Sequence, residues 1–391
     1  MSLIQSFTAA SENRRPQGQT ERRGFVTLAF VLVFISVVTG IALVLNWMYL
    51  VLVHRNMQQN IDTMALSGVY SLLDENALRD QPRNQNDDLI AAQADVDAIR
   101  QANNATSHNS LHIESTDLTV SAARVNDVTQ PADGANFIAG NPVLGPTQNS
   151  LYVECLRDPL GSNPVQLLLR GFGGPNAAEI KARSLATLDS RVVGFAPTAT
   201  ASSPVVPLAI ESNAWFNVRV ANNDDSFNGN LRRELNIVLR TNSASGAPNG
   251  ALVGLDGASL NFAVMPTQIT NGVFPADLGG PQQLGPVPVA LPGTQNSPTN
   301  PDSANIIAAF TTVAGSSDKR RIFPIYTTFG GSPVTIVGFV AADVLAASDI
   351  GPVGDPQIQV RVEPTFIVHF TAITDPAAAE NPYIHKIRLT Q

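Results

Sequence analysis

The feature that most constrains this chain is an uncharged apolar run of 29 residues, Phe25–Val53. Its only polar members are Thr27, Ser36, Thr39, Asn46 and Tyr49. As a helix the run would be about 43 Å long, against a hydrocarbon core of about 30 Å. The reading is a transmembrane helix with the lipid bilayer as its first partner, part of which must leave the lipid. Amphipathic aromatics collect at the lipid–water interface, so Asn46, Trp47 and Tyr49 place the outer boundary near Trp47. Leu50–Val53 then lie outside the membrane and need cover from the exported region or from a partner, because apolar surface in water is costly.

Orientation is set by the flanks. Arg14, Arg15, Arg22 and Arg23 precede the run, and only His54 and Arg55 come closely after it. The positive-inside rule makes residues 1–23 a cytoplasmic basic tail and exports the remainder of the chain beyond the span. The expected location is the cytoplasmic (inner) membrane, single-pass. The rival reading is a cleaved signal peptide, but the run is about twice the usual apolar core of one and ends without a small-x-small cleavage site. Beyond the run, Met57, Ile61, Met64, Ala65, Gly68, Val69 and Leu72 recur at helical spacing, with Gln58, Gln59, Asn60, Asp62 and Thr63 between them. One continuous helix from Phe25 to about Leu73 is expected, within a module spanning 24–80. Ser36 and Gly40 form a small-xxx-small pair that permits close helix contact, against the plainer reading of a lipid-facing surface.

Arg22-Arg23-Gly24, the apolar run, and then Asn60-Ile61-Asp62-Thr63-Met64-Ala65-Leu66-Ser67-Gly68 resemble the N-terminal module of TadE/TadG-like proteins. These are Flp pilus-assembly proteins of the tight-adherence (Tad) system. The specific likeness covers the first 75 residues or so. Shorter stretches come in the order of the larger members: 186–195, 205–210, Ile322-Phe323-Pro324-Ile325 and Val337-Gly338-Phe339. Prepilins place Glu five residues after the processed glycine; after Gly24 that position is Ala29, which has no carboxylate. The resemblance therefore implies the unprocessed TadG type, with other Tad membrane subunits as partners. The Asp-x-Ser-x-Ser metal motif that some TadG proteins carry does not occur in the chain. The residues expected to serve the transmembrane and assembly helix are Phe25, Ser36, Gly40, Asn46, Trp47, Tyr49, Ile61, Ala65 and Gly68.

The rest reads as mainly β. Charged residues are only 14%, while 28 Gly and 27 Pro interrupt the chain. That mix is too apolar for disorder and too rich in breakers for a helical bundle. Leu89–Arg100 reads as a short acidic helix in a polar stretch. Strands are expected from Leu111 through Val125, at Leu151–Leu156, Val165–Arg170, Ile180–Phe195, Trp215–Val220, Glu234–Arg240, Arg321–Thr328, Val334–Ala342 and Gln357–Thr371. Residues 197–207, with three prolines, read as a linker or edge crossing. Asn228-Gly229 and Asn249-Gly250 are turn dipeptides, and 275–303 is a Pro/Gly/Asn-rich surface loop. The fold class is α+β: a long transmembrane helix, then antiparallel, sandwich-like β regions over 81–196 and 197–391.

Little chemistry is legible. A net charge of -8 argues against a nucleic-acid partner. Cys155 is the only cysteine and reads as a small buried hydrophobe. His108, His112 and Glu114 have zinc-like spacing only on a helix, whereas the stretch reads as loop and strand. Asp224, Ser226, Asn228 and Gly229 imitate the start of a calcium loop, but its twelfth position is Leu235 and Glu234 comes one place early. The nucleophile-elbow, phosphate-loop and zinc-protease motifs are missing. No catalytic residue, cofactor or metal is expected. The leading expectation is a non-catalytic structural or assembly component of a Tad-type pilus apparatus. The alternative is an anchored adhesin or ligand-binding β module, reading ligands through loops 222–230 or 275–303; an anchored enzyme ranks below both.

Overall fold

The computed structural model describes residues 18–73, 78, 85–106, 112–133, 136–139, 148–158, 163–169, 176–220, 226–240, 249–255, 261–278, 288–289, 302–327, 334–351 and 357–390. A single helix, α1 (Gly18–Val69), runs unbroken through the apolar run and ends in a 3-10 turn at Tyr70–Leu72. The acidic segment forms α2 (Gln85–Thr106), longer than its sequence pattern indicated. The strands β1 (Leu118–Val125), β2 (Phe137–Ala139), β3 (Ser150–Arg157), β4 (Val165–Gln166), β5 (Ala177–Ala178), β6 (Ile180–Asp189) and β7 (Val192–Phe195) come next. After them stand β8 (Leu208–Glu211), α3 (Ser212–Val220), β9 (Leu235–Arg240), β10 (Gly250–Leu252), α4 (Met265–Asn271), β11 (Pro288–Val289) and α5 (Asp302–Ala314). The chain closes with β12 (Arg320–Tyr326), β13 (Val334–Asp349), β14 (Gln357–Pro364), β15 (Ile367–Val368), β16 (Ala372–Thr374) and β17 (Ile384–Thr390).

Two sheets carry the fold. The first has the order β15-β17-β6-β3-β1-β2 and is antiparallel except for β15 on β17. Its core lies between sheet and helix. Val53, Met57, Ile61, Met64, Ala65 and Val69 of α1, with Leu72 of the 3-10 turn after it, bury their side chains against Leu151, Val153, Cys155, Ala182, Ala186 and Leu188, with Ala92 and Val96 of α2 at the seam. The expected sheet-on-sheet packing gives way here to helix-on-sheet, because the apolar stripe of α1 supplies the covering layer. The second sheet has the order β10-β8-β12-β13-β14-β9, with β11 on β13. In β13, Phe339–Leu345 are all buried, as in a strand covered on both faces. Met265, Ile269, Ile306, Phe310 and Val313 of α4 and α5 belong to this second core.

Several local readings are corrected. Trp215–Val220 is helix, not strand: Trp215 anchors it, edge-on to Tyr383 at 5.4 Å, while Phe216 is exposed. The strand expected over Val165–Arg170 shrinks to two residues. The last expected strand breaks after Pro364, which has no N–H to donate. Residues 197–207 are not a loose linker, since Ser203 pairs with Val273, Val205 pairs with Ile322, and Val205 and Val206 are buried. Asn228-Gly229 does turn, with Gly229 at φ +65°. Asn249-Gly250 does not. Asn249 accepts from Val238 N–H at 2.7 Å and donates to Asn236 C=O at 2.8 Å, so its side chain joins β9 to the start of β10 and brings the ends of the second sheet together. Within the 275–303 loop, Leu278 is buried in a 3-10 turn and α5 begins at Asp302. The division at 196/197 is crossed by the chain itself: β17, the last strand, pairs with β6 along Lys386↔Asp189 to Thr390↔Leu185.

Candidate membrane-anchoring and docking surface

The helix α1 changes character along its length. From Val26 to Leu45 only Ala42 is buried, and large apolar side chains such as Phe30, Val33, Phe34 and Leu43 are exposed. These 20 residues span about 30 Å, the thickness of a hydrocarbon core. The helix is thus long and apolar enough to cross a membrane. At Asn46 the surroundings change. Its side-chain amide donates to Leu169 C=O at 3.1 Å and its oxygen accepts from Leu169 N–H at 3.0 Å. This reciprocal pair satisfies the one amide in the run and ties the chain after β4 to the helix.

The expected assembly residues divide into two groups. The backbone at Phe25 is helical. Ser36 is exposed, and its hydroxyl is turned back onto Leu32 C=O at 2.8 Å. Gly40 has open space where a side chain would stand, so a second helix could approach there. Trp47 is 70% exposed. Tyr49 and Leu50 are half-buried against the first core. Ile61, Ala65 and Gly68 are different. The first two are 0% exposed, and a Cβ on Gly68 would sit 2.5 Å from Leu151 Cδ2 and 2.9 Å from Val96 Cγ2. These three are spent on the chain's own fold and present nothing to another subunit. The cover demanded for Leu50–Val53 is provided in part: Val53 is buried, whereas Val51 and Leu52 remain exposed. On the polar side, Gln58 donates to Asp62 and to Arg183 C=O of β6, both at 2.8 Å.

The other sequence candidates do not converge. His108 and Asp224 lie outside the described residues. Glu114 and Asp117 form a capping box around the 3-10 turn at Ser115–Asp117. Glu234, expected near a calcium loop, is buried; it accepts from Phe227 N–H at 3.1 Å and pairs with Arg361 at 3.3 Å. Among the described residues, no three His, Cys, Asp or Glu side chains gather as they would around a metal ion. Cys155 is 0% exposed in the helix–sheet core, and burial pushes its thiol up to about 12. His369 Nδ1 lies 2.7 Å from Thr371 Oγ1, which lies 2.7 Å from Ser203 Oγ; both hydroxyls are buried, and these contacts join the segment between β7 and β8 to the turn between β15 and β16.

One cluster escaped the sequence reading. Asp343 and Glu363 stand opposite each other on β13 and β14, both buried. Arg232 reaches Glu363 at 3.6 Å and Asp343 at 3.8 Å. Asn230 donates to both Glu363 oxygens at 3.1 and 3.0 Å, and Asn228 to one at 2.8 Å. Burial holds the Asp343 carboxyl above its usual range, opposed by Lys319 and Arg320. The only sequence signal was a lone acid inside Val340-Ala341-Ala342-Asp343-Val344-Leu345, whose compensating residues lie far away in the chain. A cleft of about 300 Å³ lies near the end of α1, lined by Tyr70, Asn271, Arg320, Arg321 and His369 among others. Arg321 is committed there to the carbonyls of Ile269 (2.9 Å) and Thr270 (2.8 Å). No family model, curated protein or solved structure matches this chain.

Proposed function

We propose that this chain is a single-pass protein of the inner membrane and a non-catalytic structural or assembly component of a Tad-type (Flp) pilus or related envelope apparatus. The observation that carries the reading is the two-part helix. About 30 Å of α1 is apolar and, Ala42 apart, not buried, and from Val53 to Leu72 the same helical segment is core of the first sheet. Such a helix transmits the position of the anchor to the folded region without a linker. The basic residues Arg14, Arg15, Arg22 and Arg23 put the N-terminus in the cytoplasm and the sheets on the other side. The likeness of residues 22–68 to TadE/TadG-like proteins supplies the class of apparatus, and Ala29 in place of a prepilin Glu supports an unprocessed, TadG-type chain. The Ser36–Gly40 face is open for a neighbouring membrane subunit, whereas Ile61, Ala65 and Gly68 are not.

Two measurements test this. A reporter active only outside the cytoplasm, fused after residue 80, is expected to give signal; silence there, with signal from a cytoplasmic reporter, overturns the topology. Isolation from membranes is expected to bring down other Tad subunits, and Gly40→Val to weaken that recovery. Recovery of none, together with specific glycan binding by the exported region, would sink the assembly reading.

A further inference from the structure

We propose that the leucine triplet that follows β4, Leu167–Leu169, is a second lipid contact, seated in the headgroup–acyl boundary beside the point where α1 leaves the bilayer. The inference rests on the reading of α1 as a membrane span. Its own footing is the placement of the triplet. Val165 is buried in the helix–sheet core, and four residues later Leu169 is bound to Asn46 through both its N–H and its C=O. Asn46 directly succeeds the 20-residue apolar stretch, exposed over most of its length, that matches the hydrocarbon core. The triplet therefore stands at the depth where lipid gives way to water.

Three further observations agree. Leu168 is 59% exposed and Leu167 and Leu169 are part-exposed, so the leucine triplet does not enter the protein's own core. Ala42, one turn and about 6 Å below Asn46 on the same helix face, is 2% exposed. Ala29, an equally small residue farther along the bare stretch, stays half-exposed. The chain thus covers α1 below the exit point, within the depth of about 5–10 Å at which interfacial elements are seated. Around the rest of the helix at this level, Trp47, Met48 and Leu52 are 70%, 64% and 57% exposed. An apolar slab accordingly surrounds the exit, made partly of helix and partly of the leucine triplet.

Lipid fits this slab better than a protein partner does. The exposed Leu168 stands beside the outer end of the apolar stretch of α1. Backbone groups of its two neighbours are paired: Leu169 with Asn46, and Leu167 N–H with Asn176 C=O at 3.1 Å. Two contacts, helix and triplet, fix the rotation of α1 about its axis and hold the first sheet upright over the bilayer.

The test is site-directed spin labelling of the full chain in phosphatidylcholine–phosphatidylglycerol vesicles, in a Cys155→Ala background. Labels go on Leu168→Cys, on Val37→Cys within the span, and on Gln130→Cys, exposed on the first unit. The oxygen-to-nickel accessibility ratio at 168 is expected to approach that at 37 and to exceed that at 130 by about threefold or more. A lipid-like ratio at 37 with a water-like ratio at 168 overturns this contact and leaves the span reading standing. Water-like ratios at both overturn the two together. A label at 168 shielded from both reagents means that protein covers the triplet, which also overturns the lipid contact.

Discussion

Gly40 and Gly68 share one helix and one kind of sequence signal, small residues at helical spacing, yet the structure gives them opposite settings. Nothing stands within 4 Å of a Cβ on Gly40, whereas Leu151 and Val96 crowd one on Gly68. Periodicity reports which face a residue occupies but not what meets that face, and Leu151 and Val96 arrive from separate elements. Gly68→Val is therefore expected to destabilise the first unit by about 1–3 kcal/mol through overpacking. Gly40→Val should leave unfolding within about 0.5 kcal/mol of the parent. Urea unfolding of the detergent-solubilised protein, followed by circular dichroism, measures both. Equal effects at the two positions would show that Gly68 does not meet the sheet as described. Asn46 carries the same lesson: its sequence marked a boundary, but its use as a clasp for Leu169 depends on a segment more than a hundred positions away.

At the scale of elements, what could be read was what is local. The apolar run and the Met57–Leu72 stripe are set by neighbours three and four residues apart, and they lie in α1 and the 3-10 turn that ends it. The strand runs around Leu151, Ile180 and Val334 are similarly self-evident, being β-branched or alternating over most of their length. Short helices were not, since α3 is decided by where Trp215 is buried, and α4 and α5 by the sheet that they cover. The outer half of α1 has a testable consequence. With the 3-10 turn that ends it, this segment buries six large apolar side chains, Val53, Met57, Ile61, Met64, Val69 and Leu72, in the first core. At about 1.5–3 kcal/mol each they contribute on the order of 10 kcal/mol, comparable to the whole stability of a typical domain. A chain beginning at Tyr49 is expected to fold as a water-dispersed protein. One beginning at Leu73 is expected to lose the first sheet, read as lost hydrogen-exchange protection in β3 and β6. Retained protection without residues 49–72 would show that the helix is an attached rod and not part of the core.

Across the whole molecule, the first sheet is assembled from both ends of the chain. The anchor helix covers it, β1, β3 and β6 form its middle, and β17 closes it from the C-terminus, with the second sheet inserted between β7 and β15. This is the part of the fold that sequence could not show. Ile384–Thr390 has a mixed polar pattern with no local mark of its partner, and a boundary near residue 197 looked natural because proline collects there. The strand is not ornamental. Ile384 is fully buried, Thr390 donates to Thr187 at 3.2 Å, and Arg388 lies 3.6 Å from the buried Asp189. Removing β17 leaves the backbone of β6 unpaired along one edge and deprives β15 of its neighbour, each lost hydrogen bond costing about 0.5–1.5 kcal/mol. A chain ending at Tyr383 is therefore expected to lose exchange protection in β6 and β3 while keeping it in β12–β14, whose pairings do not involve the C-terminal strand. Undiminished protection in β6 would overturn the closure; loss everywhere would make the two sheets one cooperative unit. Under the proposed topology, the same strand order sets the sequence of events in export: completion of the first sheet would wait for β17 to cross behind α1, because the pairing of β17 with β6 is its final long-range contact. A reporter domain that folds tightly enough to block passage, fused after Gln391, should accordingly leave the first unit protease-sensitive and the anchor inserted.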